Sequence, residues 1–179
     1  MRSLLFAAAF MAAAAVAQES ATEPEHKPDV PFVTTPQYVV TAMMQLAEVK
    51  PADIVYDLGC GDGRMVITAA RDFGAHGVCI EINPELLQRA RDNAARDGVE
   101  KMIEFRRGDF FKADIHDATV VTIYLLPRVN LELRPKLLAE LKPLTRVVSH
   151  TFDMGDWKPN KLLSLTGSVA YLWYIPAKK

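Results

Sequence analysis

Two hydrophobic periods alternate along this chain, one spaced for a helix and one for a strand. Thr35-Pro36 pairs an N-cap residue with proline at the first helical position, and Val39, Val40, Met43, Met44, Leu46 and Ala47 follow at helical spacing. Residues 53–58 form a short, largely apolar run that stops at glycines and predicts a buried strand. Residues 64–73 carry Met65, Val66, Ala69 and Ala70 on one helical face, and residues 76–82 predict a second strand. Asn83-Pro84-Glu85 opens another helix in the same cap-plus-proline manner, running to about Asp97 before Gly98 stops it. Further on, residues 102–106 and the β-branched run 118–125 predict strands, 131–141 a helix despite Pro135, and 145–152 a strand. Finally, 162–166 and 168–175 flank Gly167 as an antiparallel hairpin. Strands alternating with helices imply right-handed crossovers. The fold expected is α/β and doubly wound, with a mostly parallel sheet closed by the antiparallel C-terminal hairpin.

The first residues follow a different pattern. Arg2 precedes an apolar stretch, residues 4–16, with no polar face over 7–15, and Ala15-Val16-Ala17 places small residues where a signal peptidase cuts. A helix of that length spans only about 20 Å, short of a bilayer core of roughly 30 Å. The expectation is a cleaved signal peptide over 1–17 and an exported chain, periplasmic or secreted, with a cytoplasmic location as the alternative and no stable membrane span. Residues 18–31 are polar, carry Pro24, Pro28 and Pro31, and predict a flexible linker ahead of a folded domain over 32–179.

Of the 179 residues 50% are hydrophobic and 24% charged, which suits one domain with an ordinary core. The formal net charge of −1 gives no electrostatic footprint for nucleic acid, so no nucleic-acid partner is expected. Two cysteines, Cys60 and Cys79, suggest neither a disulfide framework nor a metal site; Cys79 is expected as a buried strand thiol.

Candidate chemistry gathers where the strands end. In doubly wound sheets ligands bind beyond the carboxyl ends of the strands. The first strand ends at Asp57, and Gly59, Cys60, Gly61, Asp62 and Gly63 follow; glycines let the backbone turn sharply and approach a ligand. Such a loop alone is a weak signal, but three carboxylates accompany it. Glu81, 24 residues after Asp57, ends the second strand, where it can accept from both hydroxyls of a ribose. Asp109 follows the third strand, within reach of an adenine edge, and Asp57 suits an amino group. Dinucleotide sites need glycines spaced G-x-G-x-x-G to face a pyrophosphate. Here the spacing is G-x-G-x-G after an acid, which repels a pyrophosphate and attracts an ammonium. The pattern favours S-adenosyl-L-methionine over NAD.

Phe32-Val33-Thr34-Thr35-Pro36, Val55-Tyr56-Asp57-Leu58-Gly59-Cys60-Gly61-Asp62-Gly63-Arg64 and Glu81-Ile82-Asn83-Pro84 resemble the class I methyltransferase superfamily. Within it they resemble the small mitochondrial protein-lysine methyltransferases that modify the ATP synthase c subunit and the adenine nucleotide translocase, and their bacterial relatives. The likeness continues through Pro127, Arg146-Val147-Val148-Ser149 and Trp157-Lys158-Pro159. It implies methyl transfer from S-adenosyl-L-methionine to a protein lysine, with Thr35, Asp57, Gly59, Gly61, Gly63, Glu81 and Asp109 holding the cofactor. Cys60 departs from the serine frequent in that branch.

On the acceptor side, Tyr124 at the end of the fourth strand either orients an amine or packs under the following helix. His150, ending the fifth strand, is either a proton acceptor or a hydrogen-bonded structural histidine, and Trp157 a pocket wall or, preferably, a core anchor. An Asn-Pro-Pro-Tyr motif is missing at the fourth strand, which removes the best-known signature of amide and base-amine methylation. A small-molecule methyltransferase of the same fold and a non-catalytic adenosyl-ligand binder stand as alternatives.

Overall fold

A computed structural model describes residues 32–177; the expected signal peptide and linker lie outside the described residues. Helix α1 spans Gln37–Leu46, α2 Arg64–Phe73, α3 Pro84–Arg96 and α4 Pro127–Glu140. The strands are β1 Ile54–Leu58, β2 His76–Glu81, β3 Ile103–Arg107, β4 Val120–Ile123, β5 Arg146–His150, β6 Lys161–Leu165 and β7 Ser168–Tyr174.

These seven strands form one sheet in the order β3-β2-β1-β4-β5-β7-β6. β1 to β5 pair in parallel, and β7 enters antiparallel between β5 and β6. The expected α/β architecture and its closing hairpin are therefore present, with β6 rather than β7 at the edge. Strand order reverses between β1 and β4. Chain leaving β1 turns toward β2 while chain leaving β4 turns toward β5, so a crevice opens between them.

Side-chain alternation sends each strand's residues to two covered faces. Val55, Val120, Val148, Ala170 and Leu172 pack with α1 and α2, while Cys79, Ile103 and Phe105 pack with α2 and α3. Tyr56, Leu58, Ile80, Val121, Ile123, Val147 and Trp173 pack on the opposite face with Val129, Leu133 and Leu137 of α4. Trp157 lies against this second core, its ring 5.7 Å from that of Trp173, and is an anchor rather than a pocket wall.

Two expectations at helix starts shift in detail and one holds. Pro36, not Thr35, takes the N-cap position of α1, and no side chain caps that end. Asn83 does cap α3, accepting from the amides of Glu85 and Leu86. Helix α4 begins at Pro127, earlier than the apolar spacing suggested, so Pro135 falls in its interior.

Gly63 precedes α2 at φ 80°, where an added Cβ would stand 2.9 Å from the Cβ of Ala90 on α3. Its role is the contact between α2 and α3, because no larger residue fits there. Gly63→Ala is expected to cost about 2–4 kcal/mol, from left-handed strain plus overpacking. Gly98→Ala, with φ 73° but nothing within 4 Å of its new Cβ, should cost only about 1–2 kcal/mol. Urea denaturation of the two variants measures the difference.

Candidate active site

At the crevice the carboxyl ends of β1, β2 and β4, with the turn after β3, enclose a cavity of about 530 Å³. Of the residues singled out from the sequence, Thr35, Asp57, Gly59, Gly61, Glu81, Asp109 and Tyr124 line it. Gly63 and His150 do not. The packing of Gly63 against Ala90 accounts for the first, and the burial of His150 behind Tyr124 for the second.

The glycine loop is built against β2. The amides of Gly59 and Cys60 both donate to the carbonyl of Ile80, at 2.9 and 3.1 Å. Glu81 then fixes the turn with its carboxylate: Oε2 accepts from the Gly61 amide at 2.9 Å and Oε1 from the Asn83 amide at 2.9 Å. Each oxygen keeps a further lone pair, so this pre-oriented carboxylate can still accept from a pair of hydroxyls. Asp109 is set by its own turn, Oδ1 accepting from the Phe111 amide at 2.8 Å. Asn93 on α3 donates to the Asp62 carbonyl at 3.0 Å and holds the far side of the loop.

Asp57 is the most constrained of the four acids. Burial pushes its carboxyl up to about 7, and the nearby charges of Asp62 and Glu81 act in the same direction against the Thr122 hydrogen bond. The Thr122 hydroxyl lies 2.8 Å from Asp57 Oδ1 and 3.3 Å from the Tyr56 carbonyl. A hydroxyl has one proton, so it donates to Asp57 when that carboxyl is ionised and is free to donate to Tyr56 when it is not. Against Asp57, Asp62, Glu81 and Asp109 the cavity lining holds, among the described residues, one cation, Arg64, already paired with Asp62 at 2.5 Å. The cavity selects positive charge.

A strap precedes α1 and covers the opening. The Phe32 ring stands over Gly61, with the guanidinium of Arg89 5.8 Å from its centre. Arg64 donates to the Thr35 carbonyl at 2.6 Å, a role that composition and spacing did not reveal. On the other side Phe110, Tyr124 and Leu125 supply an apolar wall. Phe32 and Arg64 lie in the motif segments and Phe110 beside Asp109, but their roles were missed because those depend on contacts across the cavity that residue type does not signal.

Cys60 and Cys79 are joined by a disulfide, with their Cα atoms 5.3 Å apart. This corrects the expectation of a free, buried Cys79. Strand β2 runs beside the loop that follows β1, a proximity that 19 positions of sequence conceal. Cys60 lines the cavity, so the crosslink ties the loop directly to the strand that presents Glu81.

Both features have measurable consequences. Asp57 takes up its proton in the fold well above its ordinary value of 3.8. The native state thus binds the extra proton between about pH 4 and pH 7, and its stability falls as pH rises across that window. Asp57→Asn, which cannot ionise, is expected to stabilise the unliganded protein by roughly 2–4 kcal/mol at pH 8 and to confer little at pH 4. Denaturation at the two pH values measures this. Breaking the disulfide by reduction, or by Cys60→Ala with Cys79→Ala, should lower stability by about 3 kcal/mol for a loop of this size. Alkylation before and after reduction should find thiols only afterwards.

Comparison with known proteins agrees with this geometry. Residues 57–161 match the ANTKMT methyltransferase domain. A protein-lysine N-methyltransferase of Saccharolobus islandicus is 50% identical over 139 residues, 77% of this chain and 86% of that protein. The adenine nucleotide translocase lysine N-methyltransferase of Mus musculus is 35% identical over 73% of this chain, which spans 56% of the mouse protein. Among solved structures, an RNA methyltransferase from Salinibacter ruber in complex with S-adenosyl-L-homocysteine is 55% identical, with a TM-score of 0.81 over 82% of this chain and 96% of that one. The chain belongs to the ANTKMT methyltransferase domain family and is an S-adenosylmethionine-dependent methyltransferase.

Proposed function

We propose that this enzyme methylates the amine of a protein lysine, with Asp57 holding the cofactor's ammonium and Tyr124 guiding the acceptor. The observation that carries the reading is the placement of four carboxylates around one cavity beside an apolar, aromatic wall. S-adenosylmethionine, when bound, supplies a methyl group on a positively charged sulfur, open to in-line displacement. Asp57 must be ionised to receive an ammonium, Glu81 accepts from the ribose hydroxyls, and Asp109 meets the adenine edge. Thr35, Gly59 and Gly61 contribute surface to the same pocket, and Gly63 contributes through the packing of α2. Phe32, Phe110 and Tyr124 exclude water and favour the neutral amine, the form of lysine that attacks carbon. Alignment of that amine supplies the rate.

Two relatives bear protein-lysine names, whereas the Salinibacter protein bears the name of an RNA methyltransferase. An acidic cavity and a net charge of −1 favour the cationic side chain over a phosphate-bearing acceptor. Residues 32–179, incubated with methyl-labelled cofactor and a cell lysate, should place label on protein lysine. Label confined to RNA or to small molecules would overturn the reading. Cofactor affinity should weaken as pH falls below about 7, tenfold per unit at the limit. Asp57→Asn should bind at least tenfold more weakly at pH 8; calorimetry follows both.

We further propose that residues 1–17 direct the chain out of the cytoplasm. The arrangement of Arg2, the apolar run and the small residues supports this, as does a disulfide of the kind that persists in oxidising compartments. Fractionation with N-terminal sequencing should find a shortened, oxidised chain outside the cytoplasm. A full-length cytoplasmic chain with free thiols would refute it.

A further inference from the structure

His150 ends β5 behind the cavity wall, with 4% of its surface exposed. Its ring lies 4.1 Å from the ring of Tyr124, which does line the cavity and which also stacks with Phe152 at 6.3 Å. Its Nδ1 is 3.2 Å from the Thr35 hydroxyl, and its Nε2 is 2.5 Å from the hydroxyl of Ser168 on β7. Burial lowers its proton affinity, so the imidazole is neutral at neutral pH, with one N–H and one lone pair. Both nitrogens are engaged. Either hydroxyl can donate or accept, so each tautomer is satisfied without a substrate.

Thr35 is therefore held twice. Arg64 takes its carbonyl and His150 its hydroxyl, which fixes the strap at the point where it lines the cavity. The same imidazole sets the position of the Tyr124 ring. Ser168 in turn anchors the imidazole from the antiparallel hairpin, an element with no residue in the cavity wall.

We infer that His150 is a positioning residue for methyl transfer: it locks the Tyr124 ring and the Thr35 strap together, anchored by Ser168, and takes no proton from the acceptor. The inference rests on the reading above that the acceptor enters beside Tyr124. It assigns a kinetic role to Ser168, and through it to the β6–β7 hairpin. The proton released when the amine is methylated leaves to solvent and not to this histidine.

The test compares His150→Ala, His150→Asn, His150→Gln and Ser168→Ala by acceptor KM, kcat and the pH profile of kcat. His150→Ala is expected to lower kcat/KM for the acceptor by about tenfold to a hundredfold, chiefly through KM, the scale of a misplaced positioning group. The pH profile should keep its shape. His150→Asn, which retains a polar group toward Thr35, and His150→Gln, which retains one toward Ser168, should each restore part of the loss. Ser168→Ala, the mildest change, should shift KM in the same direction by about threefold. A kcat loss in His150→Ala that removes a limb of the pH profile, with Ser168→Ala silent, would identify a general base and overturn the inference. Unchanged kinetics in every variant, with an active wild type, would overturn it equally. A wild type that methylates no protein lysine removes the proposed function and this inference with it.

Discussion

Asp57 sits one residue from the end of β1 with its carboxyl enclosed by the sheet, and Thr122 of the neighbouring strand donates to it in place of a counter-ion. An ionised group in that position is costly to the fold, since burial alone disfavours its charge. The cost is local and directed. On the proposed reading it falls on the atom group that meets the cationic end of the cofactor, whose charge would relieve it. That reading sets the stability of the unliganded enzyme against its affinity for cofactor through a single carboxyl.

The surrounding parts keep this carboxyl and its partners in register. Glu81 uses both oxygens to shape the glycine loop, so the proposed ribose site and the loop are one construction. The Cys60–Cys79 bond fastens the same loop to the same strand covalently. Hydrogen bonds to Ile80 already define that geometry, and the crosslink acts mainly by restricting the unfolded chain.

Around His150 the polar groups are few and paired with one another. His150 and Ser168 pair behind an aromatic surface made by Tyr124, Phe110 and Phe32, and the imidazole reaches Thr35, which lines the cavity. Such a wall suits a reaction in which the cofactor brings the reactivity and the protein supplies alignment and dryness. It also explains why a histidine at a strand end, an attractive base in the sequence, has no free nitrogen to offer.

Local pattern determined the elements. Alternating periods, capping residues and glycine stops located the seven strands and four α-helices to within a few positions, since those signals depend on near neighbours in the chain. The acids at strand ends were legible for the same reason: a parallel sheet sends all its carboxyl ends to one side, and chain order alone then assembles Asp57, Glu81, Asp109 and Tyr124. What depends on which strands and helices become neighbours stayed hidden. The sequence could not pair Cys60 with Cys79, place Gly63 against Ala90, or bring Arg64 and His150 to Thr35, because each contact joins residues whose separation is set by the sheet order and not by any local period. Residue type along the chain therefore determined the cofactor and the fold, while packing decided which groups line the cavity, which merely support it, and that neither His150 nitrogen is left free.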